Sequence, residues 1–246
     1  MNIIKKVPII TANSLSVETG RDCPRKCPHC LRGLAEKVAI NMEYAKAFLS
    51  QFSCIYSITF TGGEPTLYAE QISELIDFII DKKIEVHGFY IASNGEIYSH
   101  ELMSSLIKFY AYIMQYSDNE LTAYDVSSDQ FHEPKKEVIR KLQAFSFFQQ
   151  RSIIPQTGIL AEGYAAENGI GYRHLDYNKK FYVNVCEYAD GRTEYEVETI
   201  YLNALGYIYA DCDYSYETQR KIATHHCMDK RVSEILSDEK YSDIYE

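Results

Sequence analysis

Residues 55–66 read IYSITFTGGEPT, an apolar segment rich in β-branched residues that runs directly into two glycines and a glutamate. The segment predicts a buried strand over residues 55–61. Gly62 and Gly63 lack a Cβ, so the backbone at this strand end can approach a ligand closely. Glu64 adds a carboxylate that can accept hydrogen bonds from a ligand ammonium group. Taken alone, the motif is more simply an ordinary glycine turn that carries a surface glutamate.

The sequence around this motif alternates between strand and helix patterns. Asn41 is a favourable helix N-cap, and Pro134 suits the first turn of a helix. Alternation of this kind predicts βαβ units and a parallel sheet, hence an α/β fold. The chain length fits a partial barrel of about six units, (β/α)6, better than a closed barrel of eight. Strands are predicted over residues 15–19, 55–61, 86–92, 121–126 and 146–154, and helices over residues 41–52, 69–81, 99–114 and 134–144.

The pattern changes after about residue 178, where short strand patterns follow one another across glycine-containing turns. This arrangement predicts an antiparallel meander. We therefore expect a partial-barrel core over residues 1–178 and a small antiparallel β extension over residues 179–246. In the extension, strands are predicted over residues 181–188, 194–203 and 207–210, and a closing helix over residues 230–241.

Residues 23–30 read CPRKCPHC and place three cysteines on one short loop after the first predicted strand. Thiolates grouped in this way suit an iron–sulfur cluster or zinc. Zinc sites usually bring four ligands in two separated pairs, whereas here only His29 lies nearby as a fourth ligand. Three thiolates would leave one iron of a four-iron cluster free for another ligand. The spacing alone leaves a cluster, zinc and no metal as alternatives.

Two further polar segments follow predicted strands. Residues 93–95 read SNG, with short side chains suited to ribose hydroxyls, and residues 125–132 read DVSSDQFH. Each of them alone is compatible with an ordinary βα turn. Because the carboxyl ends of parallel strands meet on one side of a barrel, these segments, the cysteine loop and the GGE motif predict one shared site.

The CxxxCxxC loop, the TGGEPT strand end and the SNG strand end, in this order, resemble the radical S-adenosylmethionine superfamily over about residues 14–170. The resemblance implies that Cys23, Cys27 and Cys30 bind a [4Fe–4S] cluster. It also implies that S-adenosylmethionine chelates the free iron through its methionine amine and carboxylate.

The same resemblance implies which residues contact S-adenosylmethionine. The GGE motif would meet the methionine amine, His29 the adenine, and the serine and asparagine side chains the ribose or the methionine carboxylate. Residues 163–165 read GYA where family members often have Gly-Arg-Ala, so the adenine contact of that arginine is missing. The implied cofactor contacts are His29, Gly62, Gly63, Glu64, Ser93, Asn94 and Ser127.

The resemblance further implies a reductive mechanism. An electron donor such as flavodoxin or ferredoxin reduces the cluster, the C5′–S bond breaks, and the 5′-deoxyadenosyl radical removes hydrogen from a substrate. We favour a peptide over a small molecule, because an edge of the tyrosine-rich meander can accept an extended peptide. Asp129 and His132 are the candidate catalytic residues on the substrate side, with helix capping as the alternative for Asp129.

Three cysteines in the extension, Cys186, Cys212 and Cys227, partly resemble the twitch and SPASM extensions that hold auxiliary iron–sulfur clusters. A second cluster bound by these residues is one interpretation. Zinc bound by Cys212, Cys227 and a neighbouring histidine is another, and buried or free thiols are the third. Cys54 precedes an apolar strand and is predicted to lie in the core.

Composition excludes several classes of protein. The net charge of −10 opposes binding to nucleic acid, and an odd number of cysteines opposes a disulfide framework. Without a bilayer-length apolar run or a signal-peptide pattern, we expect a cytoplasmic protein with no membrane contact. Two other functions stay open: an activating enzyme for a glycyl-radical enzyme, and a catalytically silent iron–sulfur or zinc-binding protein.

Overall fold

The computed structural model describes residues 7–117, 120–172 and 175–245, which form a mixed α/β fold with one eleven-stranded sheet. The strands are β1 (Ile9–Gly20), β2 (Cys54–Gly62), β3 (Glu85–Val86), β4 (Phe89–Ser93), β5 (Ala123–Ser127), β6 (Phe148–Arg151), β7 (Phe181–Glu187), β8 (Thr193–Leu202), β9 (Tyr207–Tyr209), β10 (His225–His226) and β11 (Ser242–Tyr245). The α-helices are α1 (Met42–Leu49), α2 (Ala69–Lys82), α3 (His100–Ile113), α4 (Lys136–Leu142), α5 (Gly163–Glu167), α6 (Tyr216–Ile222) and α7 (Val232–Leu236).

The centre of the sheet is a parallel run in the order β8-β1-β2-β4-β5-β6. This run confirms the predicted α/β class with a parallel sheet. In the described part of the chain the path is open and ends at β6 on one side. Because the strands run in the same direction, the loops after β1, β2, β4 and β5 all leave the same end of the sheet.

The sixth parallel strand comes from the C-terminal region. β8 pairs in parallel with β1, from Ile9↔Glu194 to Val17↔Leu202, and antiparallel with β7 and β9. The predicted meander therefore exists, but it continues the main sheet, and its buried residues belong to the same hydrophobic core. The division near residue 178 stays a prediction.

Local signals explain the helices that position the site. Asn41 caps α1 as predicted, because its side chain accepts a 2.8 Å hydrogen bond from the Glu43 amide. The apolar stripe of α2 is buried at Ile72, Leu75, Ile76 and Ile79. Full burial of each such side chain contributes about 1.5–3 kcal/mol. The helix is therefore held against the core by its sequence pattern.

Two predicted helices differ from the structure. α4 begins at Lys136 with Lys135 as its N-cap, so Pro134 precedes the helix instead of lying in its first turn. The closing helix α7 ends at Leu236, because the chain then turns at Asp238 and pairs with β7 as β11. In the described residues, no helix combines the length and the apolar character needed to cross a bilayer.

Candidate functional site

A cavity of about 420 Å³ opens at the end of the sheet where β1, β2, β4 and β5 finish. It brings together the cysteine loop and all of the predicted strand-end motifs. Asp129, which belongs to the last of these motifs, does not line the cavity, because its side chain is fully buried. The predicted residues that line the cavity are Cys23, Cys27, His29, Cys30, Gly62, Gly63, Glu64, Ser93, Asn94, Ser127 and His132.

The Glu64 carboxylate joins two of the strand ends. It accepts hydrogen bonds from the Thr66 amide (3.2 Å) and hydroxyl (2.7 Å), the Ser93 hydroxyl (2.9 Å) and the Asn94 amide (2.8 Å). Its residue is 1% exposed, and burial raises the pKa of Glu64 despite these donors. Three of these donors reach Oε1, and the Asn94 backbone amide reaches Oε2. Glu64 therefore holds the ends of β2 and β4 in register with each other.

Gly62 and Gly63 bring the end of β2 against the backbone that leads into the cysteine loop. The Gly63 amide donates to the Gly20 carbonyl at 2.9 Å. A Cβ on Gly62 would lie 2.1 Å from the Gly20 oxygen, and one on Gly63 would lie 2.2 Å from the Asp22 oxygen. Glycine is therefore required by close backbone packing in the protein itself, in addition to any approach by a ligand.

The cysteine loop is held at both ends. At its start, the Asp22 amide donates to the Tyr68 hydroxyl at 2.7 Å. At its end, the Tyr164 amide donates to the Cys30 carbonyl at 2.9 Å, and the Asn168 side chain donates to the Pro28 carbonyl at 3.0 Å. The GYA segment at residues 163–165 thus lies against the loop backbone, where a Cβ on Gly163 would meet Cys30 and Leu31.

Two of the loop thiols, Cys23 and Cys27, favour the protonated form. Burial, together with the neighbouring Cys30 and Cys23 thiols, raises the pKa of Cys27 to about 11. Burial also raises the pKa of Cys23. Thiolates so close together therefore need a cationic partner to be stable.

His29 presents a neutral ring to the cavity. Its ring stacks on Phe131 with centroids 4.1 Å apart and planes 20° apart. Burial lowers the pKa of His29 to about 4. Its Nδ1 atom is buried and has no hydrogen-bond partner among the described residues. A flat, neutral ring with a free polar atom suits contact with a heteroaromatic ligand.

Asp129, His132 and Cys27 form a connected series. Asp129 Oδ1 lies 2.9 Å from His132 Nδ1, and His132 Nε2 lies 3.4 Å from Cys27 Sγ. Asp129 also accepts a hydrogen bond from the Phe131 amide at 2.9 Å. The helix-capping alternative for Asp129 is wrong, since Lys135 is the N-cap of α4. Asp129 contacts His132, and His132 and Cys27 are the members that line the cavity.

Further residues that belong to none of the sequence motifs also line the cavity. Tyr90 donates to Asp125 Oδ2 at 2.7 Å, and Arg151 Nη2 donates to the same oxygen at 2.6 Å. The available signal was their position at or near the ends of predicted strands, on the side where the motifs gather. The other missed lining residues include Arg32, Ile154, Ile159, Leu160 and Asp213, and Cys212, which was predicted for a second site in the extension, lines the same cavity.

A buried polar network lies behind the cysteine loop. Arg21 is 0% exposed and donates to Glu18 Oε1 at 2.6 Å and to Gln219 Oε1 at 2.5 Å. Glu18 also accepts from the Tyr201 hydroxyl. The network therefore connects the end of β1 to β8 and α6, immediately before the first loop cysteine.

The three cysteines of the extension lie in different places. Cys186 is exposed on β7 opposite Glu194, near the start of β8, whereas Cys227 is buried beyond the end of β8 and donates its amide hydrogen to Gly206. The length of β8 is about 30 Å at ~3.3 Å per residue. Cys212 lines the 420 Å³ cavity. A single metal group bound by all three thiols does not fit this arrangement.

Two strands of the meander are each paired with a further short strand of the chain. β7 pairs with β11, from Ser242↔Phe181 to Tyr245↔Asn184, and β9 pairs with β10. The outer strands on this side of the described sheet are therefore β10 and β11, and the expectation that a meander edge accepts a peptide stays a prediction.

No protein-family model matches the chain, and no curated protein matches it either. Among solved structures, it is similar to Streptococcus suis SuiB bound to precursor peptide SuiA, with 12% identity, a TM-score of 0.46, and coverage of 92% of this chain and 64% of that one. A second SuiB crystal structure has 14% identity, a TM-score of 0.46, and coverage of 93% and 66%. Native anSMEcpe with bound AdoMet and Cp18Cys peptide has 12% identity, a TM-score of 0.48, and coverage of 95% and 81%.

The chain thus spans slightly less than two thirds of the length of the SuiB chains. These likenesses are too distant to indicate an activity for this protein.

Proposed function

We propose that this chain is a radical S-adenosylmethionine enzyme. The observation that carries the proposal is one cavity lined by Cys23, Cys27 and Cys30 together with the GGE, SNG and Ser127 strand ends. The deciding experiment is cleavage of S-adenosylmethionine by the reduced protein after anaerobic assembly of its cluster.

The donor set suits a group larger than a single ion. In the described residues, the three loop sulfurs do not all lie within 4.8 Å of one another, although two other groups of potential ligands do. Tetrahedral zinc with Zn–S bonds of ~2.3 Å requires sulfurs about 3.8 Å apart. A [4Fe–4S] cube spreads its thiolates more widely than one zinc ion does. We therefore assign Cys23, Cys27 and Cys30 to a [4Fe–4S] cluster.

When bound and reduced, the cluster supplies the electron that cleaves S-adenosylmethionine to a 5′-deoxyadenosyl radical. The residues of the chain bind and orient the parts. His29 offers its neutral ring to adenine, while Ser93, Asn94 and Ser127 face the ribose or the methionine carboxylate. Because the Glu64 carboxylate is buried and already accepts from four donors within the protein, we assign the methionine amine contact to backbone carbonyls of residues 62–63, which Glu64 holds in place.

The substrate side of the cavity is proposed to be the wall of Ile154, Ile159 and Leu160, with the arginines Arg32 and Arg151. A peptide or a small molecule could bind there, and an external donor such as flavodoxin or ferredoxin would reduce the cluster. Two alternatives make different predictions. An activating enzyme would leave a stable radical on a large partner protein, and a silent metal-binding protein would release no 5′-deoxyadenosine.

We expect Glu64→Ala to weaken S-adenosylmethionine binding and to lower stability at the same time. The change leaves the Ser93 hydroxyl and the Thr66 and Asn94 amides without their acceptor, and each unsatisfied buried group costs about 1–3 kcal/mol. Urea unfolding and calorimetric titration of the reconstituted protein measure the two effects. The exposed Glu70→Ala is the control. Weaker binding at unchanged stability would show instead that the carboxylate contacts the ligand directly.

We expect His132→Ala to shift the midpoint potential of the cluster while iron content stays constant. The change removes the hydrogen-bond partner of Cys27 Sγ, and such contacts to cluster sulfurs tune the potential. A redox titration followed by electron paramagnetic resonance measures the shift, with exposed His100→Ala as the control. An unchanged midpoint potential would contradict this contact between His132 and the cluster, and it would favour the substrate-side role predicted for His132 from the sequence.

A further inference from the structure

A second group of potential metal ligands lies at the opposite end of β2 from the cavity. Cys54, Glu85 and His87 each offer one ligand atom, and these atoms all lie within 4.8 Å of one another. Cys54 and Gly62 are the two ends of β2. Eight residue steps at ~3.3 Å place the group about 26 Å from the GGE motif. The group is therefore separate from the candidate radical site.

Strand geometry explains why these three residues meet. Cys54 is the register partner of Glu85 in the parallel pair of β2 and β3. His87 follows two residues after Glu85, and its amide donates to the Ile55 carbonyl at 3.1 Å, so the pairing continues past β3. Side chains two residues apart share a face of a sheet. Ile55 and Val86 point to the core instead, and both are 0% exposed.

This placement corrects the expectation that Cys54 lies in the core. Its side chain is only half-buried and belongs to the face opposite Ile55. Tyr56 lies on the same side, with its ring 4.9 Å from the His87 ring. The tyrosine ring limits the orientations that the imidazole can adopt, as neighbours of metal-binding histidines commonly do.

The chemistry of the group selects a metal class. We propose that Cys54, Glu85 and His87 bind one zinc-type divalent transition metal ion. A thiolate, an imidazole and a carboxylate are the three ligand types that zinc uses, whereas magnesium and calcium prefer oxygen ligands alone. His87 Nε2 and Glu85 Oε1 are already 2.8 Å apart. Tetrahedral bonds of ~2.0–2.3 Å need ligand separations of about 3.3–3.8 Å, so this direct contact must open by less than about 1 Å to admit the ion.

The surroundings favour a cation. The Glu85 and Glu194 carboxylates both act electrostatically on the Cys54 thiol. Glu196 is the register partner of Thr11, and Thr11 is the register partner of Cys54. Glu196 therefore lies level with Cys54, two strands away in the sheet. Three protein ligands leave a fourth position for water. The bound ion would fasten the two-residue strand β3 to β2, so the proposed role is structural.

The test uses the full chain with Cys23, Cys27, Cys30 and Cys212 changed to alanine, which removes the loop thiols and the thiol of the other close ligand group, Asp211, Cys212 and Asp213. Co²⁺ is titrated as the probe, since a thiolate–cobalt charge-transfer band reports a sulfur ligand directly. We expect one Co²⁺ per chain, displaced by Zn²⁺, with a rise in thermal stability. Cys54→Ser should abolish the charge-transfer band. His87→Ala should weaken binding by more than the roughly 10- to 100-fold that loss of an outer-shell partner costs.

Cys186→Ser and His100→Ala are matched controls, because both residues are exposed and lie outside the group. They should leave binding unchanged. The folded state of each variant is checked by its far-ultraviolet circular dichroism. A band that persists in folded Cys54→Ser, or no Co²⁺ uptake by the parent chain, would overturn the proposal. Neither result depends on whether the protein cleaves S-adenosylmethionine.

Discussion

Cys27→Ala is expected to reduce the iron content of the reconstituted protein from about four atoms per chain to near zero. Cys27 is the middle cysteine of a loop whose two ends are held to the rest of the fold. Two remaining thiolates cannot hold a cube that already lacks a fourth protein ligand. Iron analysis and the visible absorption spectrum after anaerobic reconstitution measure the loss.

Cys186→Ala is the matched control, since Cys186 is an exposed thiol on β7. The iron content of the Cys186→Ala variant should equal that of the unchanged protein. If Cys27→Ala keeps four irons per chain, the assignment of the cluster to this loop is wrong. If Cys186→Ala loses iron, a second cluster in the extension would gain its first support.

Arg21→Leu is expected to lower the free energy of unfolding by about 3–5 kcal/mol, the usual cost of breaking a buried ion pair from one side. The change leaves the Glu18 carboxylate in a fully buried position without its cation, and it removes a donor to Gln219. Because Arg21 lies two residues before Cys23, we also expect the destabilised protein to retain its cluster poorly. Urea unfolding with a linear extrapolation measures the free energy.

Arg220→Leu provides the comparison, because Arg220 pairs with Glu36 at a half-exposed surface position. Exposed pairs contribute about 0–1 kcal/mol, so this variant should remain close to the unchanged protein. Equal losses in the two variants would show that the Arg21 network contributes no more than a surface ion pair.

Local patterns in the sequence predicted much of the fold and the site. The β-branched run before Gly62 predicted β2, and the periodic isoleucines and leucine of α2 predicted its buried face. The motifs at strand ends could be grouped because the carboxyl ends of parallel strands share one side. The structure gathers them in one cavity, which follows from this rule without any knowledge of side-chain packing.

The features that the sequence did not predict depend on contacts between distant residues. β8 has an alternating pattern that suits an antiparallel strand equally well, and its parallel pairing with β1 joins residues about 185 positions apart. Burial of Arg21 depends on Gln219, which is 198 residues away. The burial and hydrogen bonding of Glu64 depend on Ser93 and Asn94 at the end of another strand. Short-range propensity contains no information about such partners.

The most direct test of the central claim is the release of 5′-deoxyadenosine. Protein reconstituted with iron and sulfide is reduced with dithionite, mixed with S-adenosylmethionine without oxygen, and analysed by liquid chromatography and mass spectrometry. We predict that 5′-deoxyadenosine and methionine form together, even slowly without a substrate, and that Cys27→Ala forms neither. A reduced protein with four irons per chain that binds S-adenosylmethionine but releases no 5′-deoxyadenosine would contradict the account.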